Sequence, residues 1–254
     1  MIAATNDAPA IEFDHVSFRL NGRALLQDLV LSVKQGETLV LLGRSGSGKT
    51  TTLKLINRLL LPTAGEVRVN GKRTVDWDPI RLRRSIGYVI QDGGLFPHFT
   101  VERNIAVVPR IENWPQARTQ GRVRELLATV GLKEDLLSRY PGELSGGQRQ
   151  RVGVARALAA DPPILILDEA FGALDPITRS EMQKEFRALQ KRMKKAAIFV
   201  THDLREAMLV ADRIALLEDG QLVVDLPATE FSRSEIPLVR AYMEAFSGLP
   251  DSRL

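Results

Sequence analysis

The stretch Gly43-Arg44-Ser45-Gly46-Ser47-Gly48-Lys49-Thr50 decides the fold of this chain. It fits the pattern G-x-x-x-x-G-K-[ST] of a phosphate-binding loop, the Walker A motif. Its glycines let the backbone point N–H groups at phosphate oxygens, and the start of the following helix adds partial positive charge. The pattern predicts that Lys49 reaches the β- and γ-phosphates of a nucleotide, and that the Thr50 hydroxyl holds Mg²⁺.

The residues on both sides of the loop support this interpretation. Residues 37–42 form an apolar run of strand length, and after the loop apolar residues recur at helical spacing, at Leu53, Ile56, Leu59 and Leu60. A strand, a loop and a helix in this order separate a phosphate site from the alternative, a chance glycine-rich turn. Because Lys49 lies in a loop, we expect its side chain to be exposed and to add little to stability.

The composition limits the classes of function. Of the 254 residues, 44% are hydrophobic and 26% are charged, as expected for a globular protein with a sizeable core. The net charge of +4 is too small to argue for nucleic-acid binding, and the lack of cysteine excludes disulfides and thiolate metal sites. Residues 1–10 lack the features of a signal peptide, and no apolar run has the length of a membrane span. We therefore expect a cytoplasmic location.

Strands that alternate with helices around the phosphate-binding loop predict a three-layer α/β core. Residues 11–20 and 25–33 are predicted to form a hairpin that turns at Asn21-Gly22. The continuous apolar run at 164–167 predicts a strand that is covered on both faces of a parallel sheet. Residues 92–160 have a mainly helical pattern, which indicates a helical subdomain inserted into this core.

A second motif, Leu144-Ser145-Gly146-Gly147-Gln148, predicts another anion site at the start of a helix. Ser145 is a good N-cap, and the two glycines leave backbone N–H groups accessible. The alternative is a plain helix cap after the turn at Pro141-Gly142. That alternative loses weight because the phosphate-binding loop is present in the same chain.

Together with four further motifs, in order along the chain, these stretches resemble the ATP-binding cassette (ABC) ATPases. The further motifs are the glutamine of the Gln loop, the Walker B strand, the D-loop and the switch histidine, at Gln91, 164–168, Ala173-Leu174-Asp175 and His202. The resemblance implies an α/β fold: a P-loop NTPase (RecA-like) core with an N-terminal antiparallel β subdomain and an inserted α-helical subdomain. The nucleotide-binding domain would span 11–225, with the helical subdomain at about 92–160, and 226–254 would form a C-terminal helical extension.

The resemblance also implies the roles of individual residues. Glu169 would polarise the attacking water, because the water must lose a proton as it attacks the γ-phosphate, and Gln91 and His202 would also act in catalysis. Thr50, Gln91 and Asp168 would hold Mg²⁺. The residues that bind ATP would be Gly43, Arg44, Ser45, Gly46, Ser47, Gly48, Lys49, Thr50, Thr51, Leu20, Ser145, Gly146, Gly147, Gln148 and Asp175.

Alternatives stay open for some of these residues, and the chain departs from the family pattern at two positions. Asp168 and Glu169 could be a solvated strand end, and Asp175 could be a helix cap before Pro176. Ala170 replaces the usual proline, which we expect to loosen the loop after Glu169. Leu20 stands where the family usually stacks an aromatic ring on adenine; Phe18, two residues earlier, is expected in the core.

The chain has one copy of each motif, whereas the family binds each ATP between two cassettes. The resemblance therefore implies a head-to-tail homodimer that encloses two ATP molecules. Two classes remain open. One is the ATPase subunit of a membrane transporter, held at the cytoplasmic face of the plasma membrane by transmembrane permease subunits and served by a substrate-binding protein. The other is a soluble cassette ATPase that acts in protein or nucleic-acid assembly.

Four stretches and Trp114 resemble the cassettes of bacterial quaternary-amine importers, whose substrates include glycine betaine, choline and carnitine. The stretches are Gly94-Leu95-Phe96-Pro97-His98, Asn104-Ile105-Ala106, Val108-Pro109 and Ile56-Asn57-Arg58-Leu59. A different small solute remains the alternative. Many such cassettes carry a C-terminal regulatory domain pair. Residues 226–254 fall short of the ~50 residues of a domain, so we expect no sensing by such a pair. Apolar residues in 92–114 are expected to contribute a docking surface for a permease helix, from among Phe96, Phe99, Val101 and Ile105.

Overall fold

The computed structural model describes residues 8–247, apart from the side chains of Gln91, Asp92, Phe246 and Ser247. Its strands are β1 Ile11–Leu20, β2 Arg23–Val33, β3 Thr38–Leu42, β4 Ala64–Val69, β5 Lys72–Arg73, β6 Ile86–Val89, β7 Ile164–Asp168, β8 Ala196–Thr201, β9 Arg213–Glu218 and β10 Gln221–Pro227. Its α-helices are α1 Lys49–Ile56, α2 Pro79–Arg84, α3 Val101–Ile105, α4 Val107–Ile111, α5 Gln116–Thr129, α6 Gly146–Leu158, α7 Pro176–Met193, α8 Leu204–Val210, α9 Ala228–Phe231 and α10 Pro237–Ser247. Residues 248–254 of the predicted C-terminal extension lie outside the described residues.

The N-terminal strands form an antiparallel sheet in the order β2-β1-β4-β5. The hairpin turns at Asn21-Gly22 as the sequence predicts. Within β1 the buried side shifts by one position, from Phe13 to Val16, because His15 adopts a left-handed conformation with φ of 51°. This bulge in the pairing with β2 puts Ile11, Phe13, Val16 and Phe18 on the buried side of the strand.

The central sheet has the order β10-β9-β3-β8-β7-β6, with parallel neighbours except for the antiparallel pair of β9 and β10. Every residue of β3 is buried, and successive residues join different cores. Leu39 and Leu41 belong to the cluster shared with the antiparallel sheet and α1, whereas Val40 and Leu42 belong to the cluster shared with the helices. The predicted α/β class, with layers on both faces of a parallel sheet, is confirmed.

The parallel arrangement brings the loops that carry the motifs to one edge of the sheet. The loops after β3, β6, β7 and β8 begin at Gly43, Ile90, Glu169 and His202, and all four leave the carboxyl ends of neighbouring parallel strands. Ligands in sheets of this kind bind outside those ends. Between β6 and β7, all the regular elements in the described part of the chain are helical.

Helix length and apolar character decide whether a segment could cross a bilayer. Among residues 8–247, no helix has enough of both.

Candidate nucleotide-binding site

The phosphate-binding loop joins β3 to α1, as the sequence predicts. Gly48 caps α1 with φ of 103°, and a Cβ at this position would lie 2.7 Å from Leu26 Cδ2. Glycine is therefore required both by the backbone conformation and by the close approach of β2. The first N–H groups of a helix have no partner within it, so the start of α1 offers donors to an anion.

Lys49 is buried, contrary to the exposure expected from its place in a loop. Only 5% of the residue is accessible, and its Nζ donates to the carbonyl oxygens of Gly43 and Arg44, both at 2.8 Å. Burial lowers the pKa of the ammonium, while the carboxylates of Glu169 and Asp168 act in the opposite direction. The prediction of exposure was wrong because the loop curves around the lysine and supplies oxygen partners for it.

Asp168 ends β7 beside Thr50, where the sequence predicts a cation site. Thr50 Oγ1 donates to Asp168 Oδ1 at 3.3 Å, and Tyr88 Oη donates to Asp168 Oδ2 at 3.2 Å. Burial raises the pKa of the Asp168 carboxyl, and it also raises that of the Tyr88 hydroxyl. Sequence reasoning missed Tyr88, which it treated only as part of a strand.

This donor set fits Mg²⁺. The cation prefers oxygen ligands, and proteins often bind it through one or two carboxylates and the phosphates of a substrate. Within residues 8–247, no group of three or more His, Asp or Glu side chains forms a metal site by itself. A cation here would therefore depend on Thr50, Asp168 and oxygens from a bound phosphate.

Glu169 and His202 lie next to the phosphate-binding loop. Glu169 has φ of 46°, a left-handed conformation that is uncommon for a residue other than glycine, and its N–H donates to the carbonyl oxygen of Val200 at 3.1 Å. Its Oε1 lies 3.5 Å from Nδ1 of His202. Such strained residues cluster at functional sites. The carboxylate also lines a cavity of about 250 Å³ with Leu25, Lys49 and Thr51.

A second cavity, of about 570 Å³, connects the loop with the C-terminal helix. Its walls include Arg44, Ser45, Glu169 and His202 on one side and Tyr242 of α10 on the other. Burial raises the pKa of Tyr242, and the neighbouring Arg44 opposes this shift. Sequence reasoning did not identify Tyr242, because no motif extends into this part of the chain.

Residues 145–148 of the second motif, called the signature residues below, lie at a different place from the phosphate-binding loop. Ser145 caps α6: its Oγ accepts from Gln148 N–H at 3.2 Å, and its own N–H donates to Gln148 Oε1 at 2.9 Å. A Cβ at Gly147 would come within 2.6 Å of Thr178 Cγ2, so α6 begins in close contact with the start of α7. Among the described residues, the walls of the two cavities contain none of the four predicted signature contacts, 145–148.

The remaining predicted residues are placed as follows. Asp175 caps α7, since its carboxylate accepts from Thr178 N–H at 3.1 Å. Gln91 begins a 3₁₀ turn one residue after the end of β6, but its side chain lies outside the described part of the structure. Leu20 is 53% exposed at the end of β1, whereas Phe18 is buried. Ala170 is buried in the loop after Glu169.

Comparisons with known proteins show the family of this chain. The family described as "ABC transporter" matches residues 26–172. The choline transport ATP-binding protein OpuBA of Bacillus subtilis is 51% identical over 202 residues, which are 80% of this chain and 53% of that protein. The glycine betaine uptake system ATP-binding protein YehX of Escherichia coli is 46% identical over 233 residues, 91% of this chain and 76% of that protein. The chain thus spans about half the length of the first of these relatives and three quarters of the second.

A solved structure is also similar. The dimeric post-hydrolysis state of the ATP-binding cassette MJ0796, bound to ADP and Pi, has a TM-score of 0.76 and 32% identity, and the match covers 86% of this chain and 98% of that one. The phosphate-binding loop, the Asp168-Glu169 pair and His202 stand at one edge of the sheet. From its sequence, its fold and its site, the chain belongs to the ABC transporter family.

Proposed function

We propose that this chain is the ATP-binding subunit of an importer and hydrolyses MgATP to drive uptake of a quaternary-amine osmoprotectant such as glycine betaine or choline. The observation that carries the ATPase part is the convergence of Lys49, Thr50, Asp168, Glu169 and His202 on one sheet edge. The substrate part is supported by relatives at about half identity whose names include choline and glycine betaine.

The residues of this chain would divide the work of hydrolysis. The loop from Gly43 to Thr51 and the start of α1 would bind the phosphates through backbone N–H groups and Lys49. Thr50 and Asp168, with Gln91, would hold Mg²⁺. Its charge would neutralise negative charge on the phosphates during transfer. Glu169 would accept the proton of the attacking water, and His202, 3.5 Å away, would contact the γ-phosphate side.

The second half of each site would come from another copy of the chain. The signature helix start at Ser145, Gly146, Gly147 and Gln148 is a donor site for an anion, but it lies apart from the cavities around Lys49 and Glu169. A head-to-tail dimer would place it against the partner's phosphates, with Asp175 across the interface. The dimeric state of the similar cassette supports this arrangement.

Adenine binding is the least conventional part of this site, because Leu20 stands where the family has an aromatic residue. We expect Leu20→Tyr to tighten ATP binding by about two- to tenfold, since an aromatic stack beyond simple burial contributes about 0.5–1.5 kcal/mol. Titration with ATP measures this. Val30→Tyr is the matched control, because Val30 is also half exposed and lies on the neighbouring β2. Equal affinities for both variants and the wild type would show that position 20 does not stack on the base.

Permease subunits would dock on a groove between β6, the segment that follows it, α4 and α6. The groove has a volume of about 340 Å³, and its walls include Tyr88, Ile90, Phe96 and Val108. Phe96 is 42% exposed, whereas the predicted contacts Val101 and Ile105 are fully buried in the core. A short apolar helix from a membrane subunit would fit this groove as helix-in-groove contacts do. This would place the chain at the cytoplasmic face of the plasma membrane.

Uptake of labelled glycine betaine and choline by cells with and without the gene, under salt stress, tests the proposed function. We expect the deletion to abolish uptake and wild-type protein to restore it, in a strain without other osmoprotectant transporters.

Phe96→Glu should fail to restore uptake and should no longer sediment with membranes, while the purified variant still binds ATP. Ile111→Glu is its control, since Ile111 is 49% exposed on α4 and does not line the groove.

The possible results separate the proposal from its alternatives. Normal quaternary-amine uptake in the deletion strain would reject the substrate. Wild-type protein that hydrolyses ATP but never sediments with membranes would instead favour a soluble cassette ATPase of protein or nucleic-acid assembly. A failure to hydrolyse ATP at all would reject the ATPase assignment.

A further inference from the structure

We propose that Glu206, held by Gln183 of α7, is a positioning residue for His202, while Arg179 of the same helix holds the segment after Glu169. The inference rests on the proposed ATPase function, because it concerns the geometry of that same site. None of the three residues belongs to a motif that was identified in the sequence.

Glu206 is a buried carboxylate in the first turn of α8, with 3% of the residue accessible. It accepts a hydrogen bond from Gln183 Nε2 at 3.1 Å, and the nearby Thr201 hydroxyl acts to lower its pKa. Burial raises its pKa, and Arg179 only partly offsets this effect. Burying a carboxylate is costly, and an apolar side chain would avoid that cost. Residues that cost stability in this way are expected at functional sites.

The Thr201 contact transmits the position of Glu206 to His202. Thr201 is the last residue of β8, is buried, and directly precedes His202. Its Oγ1 also accepts from the N–H of Asp203 at 3.0 Å. The residues on both sides of His202 are therefore hydrogen-bonded to each other. The Glu206 carboxylate lies beside the Thr201 side chain that accepts this bond, and we infer that it restrains that side chain. These contacts fix the backbone from which the His202 imidazole projects. The Nδ1 atom of that ring lies 3.5 Å from Glu169 Oε1.

Helix α7, which carries Gln183, also holds the segment that follows Glu169. Arg179 lies one turn before Gln183 on α7, so the two side chains project from one face. Its guanidinium donates to the carbonyl oxygens of Phe171, Gly172 and Leu174 at 3.2, 2.9 and 2.8 Å. One face of α7 thus holds the Glu169 loop directly and holds the His202 loop through Glu206.

The consequence is a fixed spacing between the two groups that act on the water and the γ-phosphate. The three residues act through others, since their bonds are to protein groups and not to the nucleotide cavity. A displacement of about 1 Å at a reacting group can cost about 100-fold in rate. Loss of this support should therefore lower turnover while nucleotide binding, which depends on the loop before α1, persists.

The test uses Glu206→Leu and Gln183→Leu in the full chain. We expect kcat for ATP hydrolysis to fall about tenfold, as for other supporting residues around a site, with little change in KM. Gln190→Leu is the matched control: Gln190 is an equally buried glutamine of α7, but its amide donates to the carbonyl of Lys195, away from the site. All assays are run well below the unfolding midpoint of the least stable variant, so that every variant is fully folded.

Two further variants distinguish positioning from general stability. Glu206→Gln retains an oxygen for Gln183 and an amide that can donate to Thr201, so it should recover most of the turnover. In a His202→Ala background, Glu206→Leu should cause no additional loss, because its effect passes through the imidazole. Full turnover in Glu206→Leu, an equal loss in Gln190→Leu, or full additivity with His202→Ala would each overturn the inference.

A readout that does not need turnover separates this inference from the proposed function. The chain has three histidines, so the ring resonances of His202 can be assigned by single substitutions of His15 and His98. We expect Glu206→Leu and Gln183→Leu to shift the His202 ring resonances, and Gln190→Leu to leave them in place. Unshifted resonances would overturn the positioning role. Absence of ATP hydrolysis by the wild type, with these shifts present, would overturn only the ATPase assignment.

Discussion

Glu169→Gln is expected to bind MgATP, to hydrolyse it about 10²–10⁴-fold more slowly, and to accumulate as an ATP-bound dimer. This loss of rate equals the contribution expected from a positioned general base. The amide keeps the shape of the carboxylate but cannot take a proton from water. The backbone conformation of residue 169 should persist, since the bond from its N–H to Val200 does not involve the side chain. Phosphate release measures the rate, and size-exclusion chromatography with ATP measures the dimer.

Glu181→Gln is the matched control for this variant. Glu181 is an exposed glutamate of α7, so the same chemical change is made away from the sheet edge. Its turnover should equal that of the wild type. Wild-type turnover by a monomeric Glu169→Gln protein would assign the proton acceptor to another group.

Lys49→Ala is expected to weaken ATP binding by about 10- to 150-fold, the range for losing a hydrogen bond to a charged group of about 1.5–3 kcal/mol. The structure adds a second effect. Because Nζ bonds to the carbonyl oxygens of Gly43 and Arg44, the substitution also removes their donor, and we expect the free energy of unfolding to fall by about 1–2 kcal/mol. Nucleotide titration and denaturant unfolding measure the two effects separately.

Lys54→Ala separates the role of the ammonium from that of charge alone. Lys54 is exposed on the same helix, so its loss changes the net charge equally but leaves the loop intact. We expect its ATP affinity and stability to stay near those of the wild type. Unchanged nucleotide affinity in Lys49→Ala would contradict the assignment of the phosphate site.

The sequence predicted those parts of the fold and site that depend on local pattern. The apolar runs of β3 and β7 identified buried parallel strands, because a strand covered on both faces needs no polar alternation. The parallel order then placed Gly43, Glu169 and His202 at one edge. The turn at Asn21-Gly22 was also predicted, since its positive φ values favour these residue types.

Features that depend on tertiary contacts could not be predicted. The contact of Tyr88 with Asp168 arises from two strands that lie 80 residues apart in sequence. The burial of Lys49 depends on carbonyl groups whose direction no side-chain pattern encodes. Ala170 was expected to loosen its loop, yet the loop carbonyls of Phe171, Gly172 and Leu174 are held by Arg179, one turn into the next helix.

The three tyrosines of the chain stand at three different parts of the site. Tyr88 donates to Asp168, Tyr242 faces Arg44, and Tyr140 precedes the signature segment and is half exposed. Incorporation of 3-fluorotyrosine would therefore give a ¹⁹F spectrum with one resonance for each region. The same sample could follow occupation of the carboxylate site, rearrangement of the loop arginine and approach of a second subunit as separate events in time.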